Sequence, residues 1–443
     1  MSKFYIENLG CAKNQVDSEV IVRILEEAGW VFCDTPADCD LIIVNTCGFI
    51  ESAKKESIDT FFAFRREFPQ KKIVMSGCLA QRYGEALRDS LPEADGIFGN
   101  RDLSKVTVFA SDVMDGKRPV LCPDYPDPEE ENDRRTRLFN YPASAYLKIS
   151  EGCNHRCAYC AIPLIRGALR SRPEASVLCE AKRLIETGIR EINIIAQDLA
   201  AYGYDWDGKS HFLQLLEKLD SLDGDFAIRL LYIHPDWMSD DIICAVKRCK
   251  KVLHYFDIPF QHASEHVLKP MKRSGNIDSY CALVEKIRSE IPDAVIRTTL
   301  MLGFPGETEE DFETVREFVK CCRFTWMGSF VYSLEEDTEA FALTTGKEHE
   351  VLAKKALLRQ RELEKIQQKI TEEELEKFVG NTYKVLIEEN VEGEDLAIGR
   401  IYAQAPEVDG LTVVMGRNMI PGGVYTCGIR RVNGVDLEAV RID

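Results

Sequence analysis

Along the first hundred positions, short apolar runs alternate with stripes of helical period. Phe4 to Glu7, Asp40 to Asn45 and Lys71 to Ser76 read as strands, and Asn14 to Ala28 and Glu51 to Phe68 as helices. Apolar strands separated by helices predict a parallel sheet covered on both faces. The alternation stops over 122–137, CPDYPDPEEENDRRTR, which is charged and proline-rich without periodicity and reads as a linker or surface loop. It resumes at Tyr146. Six further strands are expected, Ala145 to Ser150, Glu191 to Ala196, Phe226 to Tyr232, His254 to Pro259, Ala294 to Met301 and Phe324 to Tyr332, each followed by a helical pattern. Six βα units predict an open or partial (β/α)6 barrel, whose chemistry sits at the carboxyl ends of the strands. Residues 347–379 contain no Gly or Pro before the end of a charged stripe carrying Leu352, Ala356, Leu363, Ile366 and Ile370, and read as one long amphipathic helix. After Gly380 come five short strand patterns punctuated by glycine, which predict a small β-barrel of the oligomer-binding kind. The fold class is therefore α/β, with a parallel amino-terminal domain over 1–118, a linker over 119–138, the partial barrel over 139–375 and the small barrel over 376–443.

Composition narrows the function. The chain has 443 residues, 45% of them hydrophobic, enough for two to four packed domains. With 56 basic and 74 acidic residues the formal charge is −18, which argues against a generic nucleic-acid coat and against an anionic membrane surface. Met1 to Gly10 show no basic-then-apolar leader, and no run approaches the roughly 18 apolar residues of a membrane span, so a cytosolic protein is expected. Sixteen cysteines are then anomalous, because a reducing compartment does not sustain a disulfide framework. Some of the thiols should bind metal or do chemistry.

Two cysteine sets stand out. Directly after the first barrel strand, Ser150-Glu151-Gly152-Cys153-Asn154-His155-Arg156-Cys157-Ala158-Tyr159-Cys160 places three thiols on one short loop. Three thiolates suit three corners of a cubane 4Fe-4S cluster and leave the fourth iron open to a ligand; a zinc site with His155 as fourth ligand is the alternative. Gln197 and Asp198, His234, and Gln261 and His262 end three further strands, and Gly303-Phe304-Pro305-Gly306 follows the fifth, so polar groups converge on one barrel mouth. The second set, Cys11, Cys47 and Cys78, is dispersed in sequence, yet each cysteine follows a predicted strand of the amino-terminal sheet and has a glycine beside it. Adjacent parallel strands can deliver all three to one crevice. Cys33, Cys179 and Cys281 lack this placement and read as ordinary apolar cysteines.

The C-x-x-x-C-x-x-C loop with Tyr159 before its last cysteine, at the head of a partial barrel, resembles the radical S-adenosylmethionine superfamily. With the three amino-terminal cysteines and the terminal barrel, which resembles a TRAM domain, the whole chain resembles the methylthiotransferase family. The resemblance implies two 4Fe-4S clusters, held by Cys153, Cys157 and Cys160 and by Cys11, Cys47 and Cys78. It implies that S-adenosylmethionine binds the open iron of the first, with Tyr159, Gln197, Gly303, Pro305 and Gly306 around it. One S-adenosylmethionine would supply a methyl group and another a 5′-deoxyadenosyl radical, with electrons from a flavodoxin-like or ferredoxin-like donor.

Within the family, Arg166-Gly167-Ala168-Leu169-Arg170-Ser171-Arg172-Pro173, Ile195-Ala196-Gln197-Asp198, Tyr255-Phe256-Asp257-Ile258-Pro259-Phe260-Gln261-His262 and Ala405-Pro406-Glu407-Val408-Asp409-Gly410 resemble the branch that modifies an aspartate of the twelfth small-subunit ribosomal protein. The alternatives are the branch that modifies an adenosine beside the transfer RNA anticodon, and a non-catalytic iron-sulfur carrier or RNA-binding protein. Residues 371–443 hold 14 acidic and 7 basic side chains, so RNA contact is disfavoured and a basic protein substrate is the better electrostatic match. Lys13, Lys148 and Arg166 are the candidate partners of a substrate carboxylate.

Overall fold

The computed structural model describes residues 2–125 and 135–442, so the middle of the expected linker, 126–134, lies outside the described residues. The chain forms two compact units. The first takes 1–139 together with 151–154 and 160–170; the second takes 140–150, 155–159 and 171–443.

In the first unit, strands β1 (Lys3–Asn8), β2 (Val31–Phe32), β3 (Leu41–Thr46), β4 (Lys72–Gly77), β5 (Gly96–Phe98) and β6 (Val120–Leu121) form one parallel sheet in the order β2-β1-β3-β4-β5-β6. The run Leu41-Ile42-Ile43-Val44 shows why no polar alternation marks these strands. Leu41 and Ile43 enter the core beneath helices Ala12–Glu27 and Val106–Met114, while Ile42 and Val44 enter the opposite core with Phe61, Ile73 and Met75. Both faces are covered, so every position is apolar. The residues flanking the undescribed segment are packed in this unit. Arg135 pairs with Glu19 at 2.5 Å, both fully buried, and Tyr125 lies against the guanidinium groups of Arg101 and Arg170.

Strands β7 (Ser144–Lys148), β8 (Ser150–Glu151) and β9 (Arg170–Ser171) lead into the second unit. There β7, β10 (Glu191–Ile195) and β11 (Ala227–Leu231) make one parallel three-stranded sheet, and β12 (Tyr255–Asp257), β13 (Val295–Leu302) and β14 (Trp326–Val331) make another. The six strands are the expected six βα units, split into two arcs between β11 and β12. The long helix runs Gly346–Leu375 and lies along β14: Gln360 donates to the Ser329 carbonyl at 2.8 Å, Gln367 to Phe324 at 2.7 Å and Thr371 to Thr325 at 2.9 Å.

Strands β15 (Thr382–Asn390), β16 (Leu396–Arg400), β17 (Thr412–Met415), β18 (Val424–Asn433) and β19 (Asp436–Arg441) close the terminal barrel in the order β15-β16-β17-β19-β18. This barrel seats on the amino ends of the (β/α) strands, away from the mouth that carries chemistry. Glu191, first residue of β10, takes Arg229 at 3.1 Å and Arg400 at 2.9 Å. Trp326, first of β14, donates to the Ala403 carbonyl at 2.6 Å, and Tyr255, first of β12, donates to Asp409 at 2.6 Å. Burial pushes the Glu191 carboxyl up, but Arg229 and Arg400 outweigh it and hold it down at about 2. No helix among the described residues is long and apolar enough to cross a membrane.

Glu191 has a depressed pKa in the folded state, so the stability it contributes is complete above its ordinary value of 4.5 and is lost as pH falls toward about 2. Glu191→Gln leaves two buried guanidinium groups undercompensated. It should cost about 3 kcal/mol at neutral pH and flatten the acid limb of the stability curve, as read by denaturant unfolding between pH 2 and 7.

Candidate active site

The amino-terminal cysteines are brought to one edge by strand register. β1, β3 and β4 are neighbours, with Asn8 opposite Asn45, Asn45 opposite Ser76 and Thr46 opposite Gly77. Cys11, Cys47 and Cys78 are the third, first and first residues beyond these three strands. Cys11 immediately precedes helix Ala12–Glu27, and Cys78 begins helix Cys78–Ser90 after Gly77, whose φ of 92° favours glycine. A Cβ on Gly77 would sit 2.3 Å from Asn45 Oδ1, so this glycine admits a neighbouring side chain, not an open approach to a cofactor. Cys11 is exposed, Cys47 half-buried and Cys78 buried. Burial pushes the Cys78 thiol up to about 12, with Cys11 and Cys47 adding to the rise and Arg166 opposing it.

Beneath the thiols lies a polar network that the sequence reading did not identify. Asn45 Nδ2 donates to the Asn14 carbonyl at 2.8 Å and to Ser18 Oγ at 2.7 Å, and Asn14 Nδ2 donates to the Thr46 carbonyl at 2.9 Å. Arg166 is buried among carboxylates of this chain, Asp17 at 2.9 Å and Glu151 at 2.9 Å. Its charge is therefore committed within the protein, and it is not a spare cation for a substrate carboxylate. Ala161, the residue after Cys160, packs with Ile165 directly on Cys78, so the end of the cysteine loop approaches Cys78 within the first unit. The Ile162 amide points at Cys160 Sγ, 3.5 Å away.

At the mouth of the second unit, His155 is held by Asp198, Nε2 to Oδ2 at 2.7 Å, and stacks on His234 with ring centroids 4.4 Å apart. That bond occupies Nε2 and leaves Nδ1 as the ring nitrogen a metal could take. Asp198 also accepts from the Ala200 amide at 3.2 Å and the His234 amide at 3.1 Å. Burial, with Arg273 and His155, pushes His234 down to about 2, so it stays neutral. Tyr159 OH accepts from Arg273 at 3.1 Å, and Arg273 also donates to the Pro259 carbonyl at 2.8 Å. Gln197 is half-buried and makes no side-chain hydrogen bond to any described residue. Gln261 follows β12 with φ of 69°, and its buried Oε1 has no hydrogen-bond partner among the described residues.

The turn after β13 is fastened from outside the barrel. Gly303 has φ of 77°, and a Cβ there would lie 2.6 Å from Ala356 of the long helix. Its amide donates to Glu307 at 2.5 Å, and Glu307 pairs with Arg359 of the same helix. Pro305 is buried and Gly306 exposed, ahead of a capping box in which Thr308 and Asp311 bond reciprocally.

The donor chemistry of both cysteine sets fits iron-sulfur clusters. The thiols are soft ligands with N–H donors aimed at Cys78 and Cys160. Among the described residues no three His, Cys, Asp or Glu side chains converge on a single metal ion. A cubane takes each thiol on a different iron and needs no such convergence.

A six-unit βα barrel with three cysteines on the loop after its first strand defines a radical S-adenosylmethionine enzyme, and residues 147–319 match the Radical SAM superfamily. Residues 3–99 match the Uncharacterized protein family UPF0004, and 379–442 match the TRAM domain. Relatives called ribosomal protein uS12 methylthiotransferase RimO align over nearly the whole length. The Treponema denticola protein is 41% identical, covering 98% of this chain and 99% of its own. Those of Clostridioides difficile and Thermotoga maritima are also 41% identical, covering 96% and 95%, and 94% and 94%. The chain belongs to this methylthiotransferase family, and as a radical S-adenosylmethionine enzyme it uses a 4Fe-4S cluster and S-adenosylmethionine. The structure of the radical S-adenosylmethionine methyltransferase TsrM from Kitasatospora setae shares the fold, with a TM-score of 0.54 over 75% of both chains at 15% identity.

Asp198 satisfies two amides and one imidazole at once. Asp198→Ala should lower the stability of the metal-free protein by about 1–3 kcal/mol, measured by denaturant unfolding, whereas Gln197→Ala, which removes no protein hydrogen bond, should leave it unchanged.

Proposed function

We propose that the enzyme inserts a methylthio group at the β-carbon of an aspartate of ribosomal protein uS12, with Cys153, Cys157 and Cys160 holding the radical-generating cluster and Cys11, Cys47 and Cys78 holding a second 4Fe-4S cluster. The observation that carries this reading is the in-register delivery of Cys11, Cys47 and Cys78 to one sheet edge, with Ala161 packed on Cys78 one residue from Cys160. Relatives named for uS12 support the substrate. When bound, the clusters and S-adenosylmethionine supply the sulfur, the methyl group and the 5′-deoxyadenosyl radical needed to cleave an unactivated carbon-hydrogen bond.

The chain's own part is positioning. Asp198 and His234 hold His155 within the cysteine loop, Arg273 orients Tyr159, and the Glu307–Arg359 pair fixes the turn of Gly303, Pro305 and Gly306 beside the cofactor. Tyr159, Gln197 and these turn residues form the S-adenosylmethionine site, with Gln197 and Gln261 left free to bond it. On the terminal barrel, Glu389, Glu392, Glu394 and Asp395 are exposed around one turn, which suits a basic protein partner. Part of that domain's acidity is internal: Glu388 and Asp409 are buried beside Arg400 and Arg297.

Mass spectrometry of uS12 from cells lacking the enzyme should show the methylthio mass missing from one aspartate. Retention of that mass, with loss of a methylthio nucleoside from transfer RNA, would reverse the substrate assignment. In the purified protein, replacing Cys153, Cys157 and Cys160 by Ala should abolish 5′-deoxyadenosine release and remove about half the iron. Replacing Cys11, Cys47 and Cys78 should remove the other half, spare 5′-deoxyadenosine release and stop methylthio transfer.

A further inference from the structure

We infer that Arg166 is the positioning residue of the second cysteine set: its guanidinium, locked between Asp17 and Glu151, presents a fixed positive charge to Cys78, and thereby sets the reduction potential of the cluster on Cys11, Cys47 and Cys78. This rests on the proposed second cluster, and it assigns that cluster a partner from outside its own domain's sequence.

The geometry leaves the group little freedom. Arg166 is 3% exposed. Its Nη1 donates to both oxygens of Glu151, at 3.0 and 2.9 Å. Its Nη2 donates to Asn14 Oδ1 at 2.7 Å and Asp17 Oδ2 at 2.9 Å, and lies 3.6 Å from Cys78 Sγ. A planar fork held on both arms cannot swing away, and a guanidinium does not lose its proton in a protein. The helix that carries it, Ile162–Arg166, is itself held, because Arg101 donates to the Leu164 and Ile165 carbonyls at 2.7 and 2.9 Å.

Cys78 has a second donor. Asn100 Nδ2 lies 3.3 Å from its Sγ, and the Asn100 amide is anchored on Gln81 Oε1 at 3.0 Å. Asn14 Oδ1, 3.2 Å from the same sulfur, accepts from the thiol while it carries its proton. Once the sulfur is a thiolate that bond is lost, and Oδ1 remains satisfied by Arg166. Asn100 is then the neutral donor to a buried anionic sulfur, and Arg166, whose two Nη2 hydrogens go to Asn14 and Asp17, supplies the positive charge 3.6 Å from it. Donors and positive charge beside a cluster thiolate stabilise the reduced, more negative state, so each raises the potential; Asp17, paired with the same Nη2, works against it.

The test is potentiometric EPR on the reconstituted full-length protein, with signals of the second cluster identified by their loss in the variant lacking Cys11, Cys47 and Cys78. Arg166→Gln and Asn100→Ala should both shift that cluster to a more negative midpoint, the first by more, while Asp17→Asn should shift it positive. Arg166→Lys, which keeps the charge without the fork, should recover most of the shift. The potential of the cluster on Cys153, Cys157 and Cys160 should move less in every case. Opposite signs for Asp17→Asn and Asn100→Ala cannot come from general loosening, and these two variants carry the test if Arg166→Gln does not fold. Unshifted midpoints in both overturn the inference alone. Full iron content in the protein lacking Cys11, Cys47 and Cys78 overturns the two-cluster reading beneath it.

Discussion

Parallel register is the constraint on which the amino-terminal site depends. A parallel ladder aligns neighbouring strands in the same direction, so residues that follow β1, β3 and β4 must emerge at the same edge of the sheet. Thiols spread over nearly seventy positions are thereby gathered without any local motif. The same edge exposes backbone and side-chain polar groups that the sheet cannot satisfy, and the network of Asn14, Ser18 and Asn45 answers that need. The gathering of the thiols and the termination of the sheet thus fall at one edge, which explains why helix Ala12–Glu27 is polar in sequence and nevertheless buried along most of its length.

The second unit separates its tasks by the two ends of its strands. Carboxyl ends carry Asp198, His234, Gln261 and the Gly303 turn. Amino ends carry Glu191, Tyr255 and Trp326, which seat the terminal barrel. Because Glu191, Arg229 and Arg400 are out of water, their attraction is little screened, while each alone would carry a large desolvation cost. Such a cluster specifies one seating of the barrel more than it adds net stability.

Much of this order was legible in the chain. The run Leu41 to Val44 announced a strand covered on both faces, six βα units were visible in the periodicity after Tyr146, and the spacing of Cys153, Cys157 and Cys160 announced cluster chemistry. Other elements were silent for physical reasons. β5 and β6 are three and two residues long, too short to show a period. Arg166 meets Asp17 across 149 positions and Glu19 meets Arg135 across 116, and no local pattern encodes such pairs. Arg166 stood out as a possible partner of a substrate carboxylate; a carboxylate was the right chemistry, but the protein supplies it. Net charge overstated the acidic surface of the terminal domain only slightly, since Glu388 and Asp409 are counted in the excess yet are held inside by arginines.

The long helix has a mechanical consequence. Its thirty residues make a rod about 45 Å long, touching the Gly303 turn through Ala356 and Arg359 near its middle and leading into the terminal barrel at its carboxyl end. Between Lys347 and Leu375 there is no glycine or proline at which such a rod could kink. A displacement of the barrel would reach the turn as a translation along the rod or a tilt of it. The terminal barrel is thereby tied through one rod to the backbone of the Gly303 turn.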